Sequence, residues 1–205
     1  MALLKFRKDD DPTAGSLGAD VEALLENYSI EVMPRTAEKV EDFSSILPAG
    51  TRVYIAHIAG TPIEDMVATA KRLTSDGFPV MPHFPARIIK DKHTLKDWIL
   101  RYQGEANVDQ ALLLAGGVDT PQGDFHNSMQ LLECGAFDKA GFRRLHVAGH
   151  PEGNKDIDPD GGIINVEKAL LWKQAFSDRS DANMAITTQF AFEAKSIIAW
   201  ANTIK

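Results

Sequence analysis

The chain has 205 residues, with 22 Lys plus Arg against 29 Asp plus Glu, for a formal charge of −7. Apolar residues make up 44% and charged residues 25%, a globular balance that argues against a disordered or fibrous chain and fits one domain. The acidic surplus argues against a general nucleic-acid binder. A single cysteine, Cys134, rules out an internal disulfide and any cysteine-cluster metal site. The start, Met1 to Asp11, lacks the apolar stretch of a signal peptide. Apolar runs such as Ala111–Ala115 are far too short to span a bilayer. These features predict a soluble, cytoplasmic protein with neither nucleic-acid nor membrane partner.

Residues 1–27 read as a flexible lead-in and a first helix, with 7–18 polar and rich in Gly, Asp and Pro. The domain proper is expected over 28–205. Strand-like runs occur at Tyr28–Met33, Arg52–Ile58, Phe78–His83, Asp109–Ala115, Arg144–Ala148 and Met184–Phe192. Helical patterns separate them. Thr61-Pro62-Ile63-Glu64 offers a capping Thr, a Pro at the first helical position and a Glu three residues after the cap. Ile63, Met66, Val67 and Ala70 then follow helical spacing. Leu95, Trp98, Ile99 and Tyr102 repeat it, as do Ile197, Ile198, Ala201 and Ile204. Gly77, Gly104 and Gly141 fall where helix ends are expected.

Six strand–helix units in succession predict an α/β fold with a parallel sheet. A doubly wound sheet and a (βα)8 TIM-type barrel both satisfy that pattern. Two features favour the barrel. No Gly-x-Gly-x-x-Gly opens the first helix. Polar residues recur where strands end: Glu31, His57, His83, Asp119, His150 and Gln189. A barrel gathers such residues at one mouth. Eight units need about 250 residues, so the domain is expected to be incomplete at its C-terminus. Open edges of that kind favour pairing with a second copy of the chain.

Glu31 lies among apolar residues, where burial would raise its pKa and suit it to general-acid work. A pairing with Arg35 or Arg52 accounts for it equally well. His57, His83 and His150, with Glu31, contain enough ligands for a metal, although no His-x-His or His-Glu-x-x-His spacing supports one. Gly116-Gly117 would let backbone approach a ligand closely, with Asp119 accepting from a heterocycle's N–H groups. A plain turn has the same composition. His146-Val147-Ala148-Gly149-His150-Pro151-Glu152-Gly153-Asn154 would send His, Glu and Asn into the mouth loops. Asp156–Asp160 reads as a solvated acidic loop rather than a calcium site. Gln189 can read an amide or pterin edge, and Phe190 and Phe192 offer stacking faces or plain core. Cys134 reads as a packed thiol, and Trp98, Trp172 and Trp200 as helical cover.

Taken in order, Glu31-x-x-Pro34-Arg35-Thr36, Pro82-His83, Gly117-Val118-Asp119, Gly149-His150-Pro151-Glu152 and Thr188-Gln189-Phe190-Ala191-Phe192 resemble the methylenetetrahydrofolate reductase family. The resemblance runs from about Tyr28 to the C-terminus. It implies a (βα)8 barrel that reduces 5,10-methylenetetrahydrofolate to 5-methyltetrahydrofolate with NADH or NADPH, through FAD or by direct hydride transfer. Ile30–Thr36 is similar to the family's Phe-Glu-Phe-Phe-Pro-Pro-Arg-Thr, so Glu31 inherits the general-acid role. The family's Thr-Gln-Phe-Phe-Phe assigns Gln189 and Phe192 to substrate. Its Arg-Gly-Asp-x-Pro assigns Asp119 a place between flavin and pterin. His57, His83, Gly117, Asp119, His150 and Asn154 are the remaining candidates for cofactor contacts.

The chain departs from the family around Ala56-His57-Ile58, at Phe84-Pro85-Ala86 and at Gly149–Asn154, where the family's Tyr and His are replaced. Several of these positions are flavin contacts in that family. The alternatives are a non-catalytic barrel fragment that binds a folate or a partner, and a metal-dependent hydrolase built on His57, His83 and His150.

Overall fold

The computed structural model describes residues 18, 21–23, 25–190 and 193–204. Most of the expected lead-in therefore lies outside the described residues, as does Phe192. Along the chain run β1 (Ser29–Val32), α1 (Pro34–Ala37), β2 (Arg52–Ile55), α2 (Ile63–Ser75), β3 (Val80–Pro85), α3 (Lys92–Ala106) and β4 (Gln110–Leu114). Then follow α4 (Ser128–Glu133), α5 (Ala136–Lys139), β5 (Arg144–Gly149), α6 (Ile164–Ser177), β6 (Asn183–Thr188) and α7 (Ala194–Thr203). The strands form one parallel sheet in the order β1-β2-β3-β4-β5-β6. A doubly wound sheet reverses its order at a switch point; this one never reverses.

The sheet is curled into a half-barrel. The Tyr54 hydroxyl on β2 lies 2.7 Å from His146 Nδ1 on β5. In a flat sheet those strands would stand about 14 Å apart. The register assigns both faces. Glu31, Tyr54 and Met81 are in register across β1, β2 and β3, and His83, Leu112 and His146 across β3, β4 and β5. These residues share the concave face with Ala148 and Thr187. The intervening positions face the helices.

That alternation makes two cores. On the helix side, Val53, Ile55, Val80, Phe84, Ala111, Leu113, Leu145 and Val147 form one core with the helices. Met66, Val67, Ala70 and Leu73 come from α2, and Leu95, Trp98, Ile99 and Tyr102 from α3, at the spacing expected from the sequence. Phe84 lies at the centre of this layer, ringed by Trp98, Tyr102, Phe137 and Phe142. On the concave side a small apolar floor, Tyr54, Met81 and Leu112, packs with Leu114.

Three local expectations are corrected. Thr61 does not cap α2; Pro62 occupies the cap position, and Glu64 pairs across to Arg101 on α3 at 2.7 Å. Gly77 and Gly141 do adopt the left-handed backbone that follows a helix, but Gly104 lies inside α3. Asn107, at φ 52°, terminates that helix instead, a role Asn fills because its short polar side chain tolerates αL. At the C-terminus, Ile197, Ala201 and Ile204 are half-covered while Ile198 is exposed, so α7 is not fully buried. No helix among the described residues is long and apolar enough to cross a membrane.

Because Phe84 is fully buried among four rings, Phe84→Ala is expected to cost about 3–5 kcal/mol. Urea denaturation should show a lower midpoint with an unchanged slope; a loss under about 1 kcal/mol would mean the layer collapses around the gap.

Candidate functional site at the strand ends

A cleft of about 770 Å³ opens where the strands end, within the range of small-molecule sites. Its floor is apolar, from Leu112, Leu114, Ala115 and Ala148, and Glu31, His83, His150 and Gln189 stand around it. Its position is where α/β folds with parallel strands place their ligands.

Glu31 and His83 meet here. Glu31 Oε2 lies 3.2 Å from His83 Nε2, within ion-pair reach but at an angle too bent for a hydrogen bond. Contact with His83 holds the Glu31 carboxyl below the usual carboxylate range, outweighing the upward push of burial. This corrects the expectation of a raised pKa. The reason is position: β1 is a terminal strand of the sheet, and the Glu31 side chain remains 59% exposed. Arg52 does not pair with Glu31, since its Nε donates to Gln110 Oε1 at 3.1 Å.

The other expected residues divide. His150 and Asn154 line the cleft together, with Asn154 Nδ2 3.3 Å from His150 Nδ1. Burial, with Lys173 nearby, pulls the His150 imidazole below its ordinary pKa. Gly117 and Gln189 also line the cleft. Asp119 does not; it stays exposed on its loop. His57 turns to the helix side, its ring 4.7 Å from that of Trp98 and its Nε2 3.1 Å from the Thr61 carbonyl. Burial lowers its pKa. The three histidines of the metal reading therefore do not converge. Among the described residues no group of three or more His, Cys, Asp or Glu is placed to hold a metal ion.

The Gly116–Asp124 loop is a built feature rather than a free turn. Gln122 N donates to Arg87 O at 2.7 Å and Asp124 N to Lys90 O at 2.8 Å. A side chain at Gly123 would overlap the Lys90 carbonyl, so glycine is required by close approach. Arg87 ties three mouth segments together. Its guanidinium donates to Val118 O and His126 O, both at 3.1 Å, and to Asp156 at 2.6 Å. Asp158, expected in a solvated loop, is buried instead. It accepts from Asn165 N and Val166 N and so caps α6. Trp172 is more than helical cover, because it stacks on Phe176 at 5.6 Å and lines the cleft. Cys134 is half-buried, its thiol donating to Leu131 O.

The sequence gives no sign of a polar pair at the floor. His146, expected on the Arg144–Ala148 strand with no role of its own, lies buried inside the half-barrel against Tyr54. Its Nδ1 faces the Tyr54 hydroxyl and, at 3.4 Å, Thr187 Oγ1, while Nε2 is buried without a partner. Burial, with Arg52 and Arg144 nearby, pulls its imidazole down to about 4. Alternation along β5 from His150 could have flagged it, but its partner Tyr54 lies 92 positions away.

No protein-family model matches the chain.

Tyr54→Phe strips the partner from a buried ring nitrogen and is expected to cost about 1–3 kcal/mol in denaturant. His146 is neutral in the fold and protonates more readily when unfolded. Its contribution is therefore complete above the unfolded value of 6.5 and lost as pH falls from there towards about 4. The loss runs at up to about 1.4 kcal/mol per pH unit. His146→Gln should flatten that part of the stability–pH curve; an unchanged curve would remove His146 as its source.

Proposed function

We propose that the chain binds a reduced folate in the strand-end cleft. Its reaction is the reduction of 5,10-methylenetetrahydrofolate to 5-methyltetrahydrofolate with NADH or NADPH, as a divergent relative of the methylenetetrahydrofolate reductases. The observation that carries the reading is the Glu31–His83 contact at the rim of a cleft that Gln189 also lines. The residue the resemblance names as acid, and the one it names as folate ligand, belong to one cavity. Sequential parallel strands are what the first six units of a (βα)8 barrel would contain.

Glu31 is anionic at rest. A pterin lying over the cleft would cover its exposed carboxylate, and desolvation raises a carboxyl pKa towards the range a general acid needs. His83 then holds the carboxyl in place, and the proton goes to the folate nitrogen as the methylene bridge opens. Gln189, able both to donate and to accept, orients the pterin edge.

The cleft suits a flat heterocycle. Its floor is apolar, the Gly116–Gly117 backbone lies at its wall, and buried His83 Nε2 has no well-aligned partner. Of the six expected flavin contacts, His83, Gly117, His150 and Asn154 line it, whereas His57 and Asp119 do not. A bound flavin would pass hydride from the nicotinamide to the folate. Without one, the same floor would bring nicotinamide and folate face to face.

The exposure of Glu31 favours a second reading, a non-catalytic folate-binding half-barrel. Absorption spectra before and after NADH and then the folate separate the two. A flavin band that bleaches and returns supports flavin-mediated reduction. A colourless protein that consumes NADH only with the folate supports direct transfer. Folate binding by calorimetry with no NADH consumed supports the second reading, and absence of binding sinks both. Glu31→Gln is expected to lower turnover by about 10²–10⁴-fold with the fold intact; full activity would remove Glu31 as the acid.

A further inference from the structure

Lys173 is a buried lysine with no counter-ion among the described residues. It projects from α6, between Trp172 and Gln174, and is only 8% exposed. Its Nζ donates to the Ala148 carbonyl at 2.7 Å. None of the ion pairs among the described residues includes it. A buried ammonium has three N–H groups to satisfy and a full charge to offset. One carbonyl meets one of those needs. A neutral amine fits the place better, with two N–H groups and a lone pair. Burial accordingly pulls the Lys173 ammonium down to about 8.

The amine is also reachable. Lys173 lines the strand-end cleft, and it lines a second cavity of about 350 Å³ under α6 and α7. His150 stands on the same cleft, near enough for its imidazole to be shifted by the Lys173 charge. A desolvated lysine amine in a cavity, with a titratable imidazole close by, is the arrangement from which imines form.

We propose that Lys173 is an imine-forming amine that captures small, unhindered aldehydes in the cleft. The Nζ lone pair attacks the carbonyl carbon, and the C=O electron pair moves to oxygen. A proton passes from nitrogen to that oxygen, with His150 placed to carry it, giving a carbinolamine. A second proton transfer expels water as the C–O bond breaks and the C=N bond forms. The balance is one aldehyde and one amine to one imine and one water, with no oxidant or reductant. The protonated imine keeps one N–H, which still finds the Ala148 carbonyl. This activity does not rest on folate or nicotinamide binding.

The test is reductive trapping. The full chain is treated near neutral pH with acetaldehyde and cyanoborohydride, and ethylated peptides are followed over time by mass spectrometry. Lys71, exposed on α2 and away from the cleft, is the internal reference. Lys173 is expected to label at least about ten-fold faster: its neutral fraction near pH 7 is roughly 200-fold that of an ordinary lysine amine, and lower basicity and burial take back only part of that gain. In Lys173→Arg, with an unchanged circular dichroism spectrum, the fast-labelling site should vanish. Labelling of Lys173 no faster than Lys71 overturns the proposal, as does a fast site that survives in Lys173→Arg. Both readouts are independent of NADH consumption, so they separate this inference from the reductase reading.

Discussion

A tyrosine hydroxyl 2.7 Å from a histidine three strands away requires the sheet to bend through a steep arc. The bend follows from the helix-side core. Aromatic and branched residues on the helix-facing side of the strands pack into one core with the helices, and a twisted parallel sheet so covered curls away from its helices. The concave face then draws together side chains that a flat sheet would keep apart. Glu31 reaches His83 across β2, Arg52 reaches Gln110 across β3, and Tyr54 reaches His146 across β3 and β4.

Those concave-face contacts differ in their surroundings, and the difference divides structure from chemistry. Tyr54, part of the floor, and His146 are buried together inside the half-barrel, where the imidazole stays neutral. Glu31 lies at the rim on the terminal strand β1, where its carboxylate keeps most of its hydration, and meets His83 of the interior strand β3. A buried polar pair adds specificity to a sheet that would otherwise register on apolar contacts alone. An exposed carboxylate on a buried imidazole at a cleft is open to a ligand. The mouth is held in shape by Arg87, whose three bonds join segments at Val118, His126 and Asp156.

The α6 wall has a different character. Asp158 caps the helix, Trp172 faces the cleft from it, and Lys173 reaches back over the strand end to the Ala148 carbonyl. One helix thus contributes an aromatic surface and an uncompensated amine to the same cavity. Gly149, on the strand beneath, lets β6 and α7 pack close to β5: a side chain there would overlap Ile186 and press on Trp200.

Much of the architecture was legible from local pattern. The six strands, the α2 and α3 stripes and the left-handed turns at Gly77 and Gly141 depend on interactions within a few residues, which periodicity and glycine chemistry report directly. Glu31, His83, His150 and Gln189 were readable as strand-end residues because parallel strands put their C-terminal ends on one side. What the tertiary structure alone decided is which of these side chains share a space. Facing and partners depend on register and curvature over tens of residues. Hence His57 turned to Trp98 rather than the mouth, Asp119 stayed on the outside, and Asp158 became a buried cap. For the same reason the charge state of Glu31 could not be read from its apolar neighbours: those neighbours pack on the other face of β1, while the carboxylate lies at the open rim beside His83.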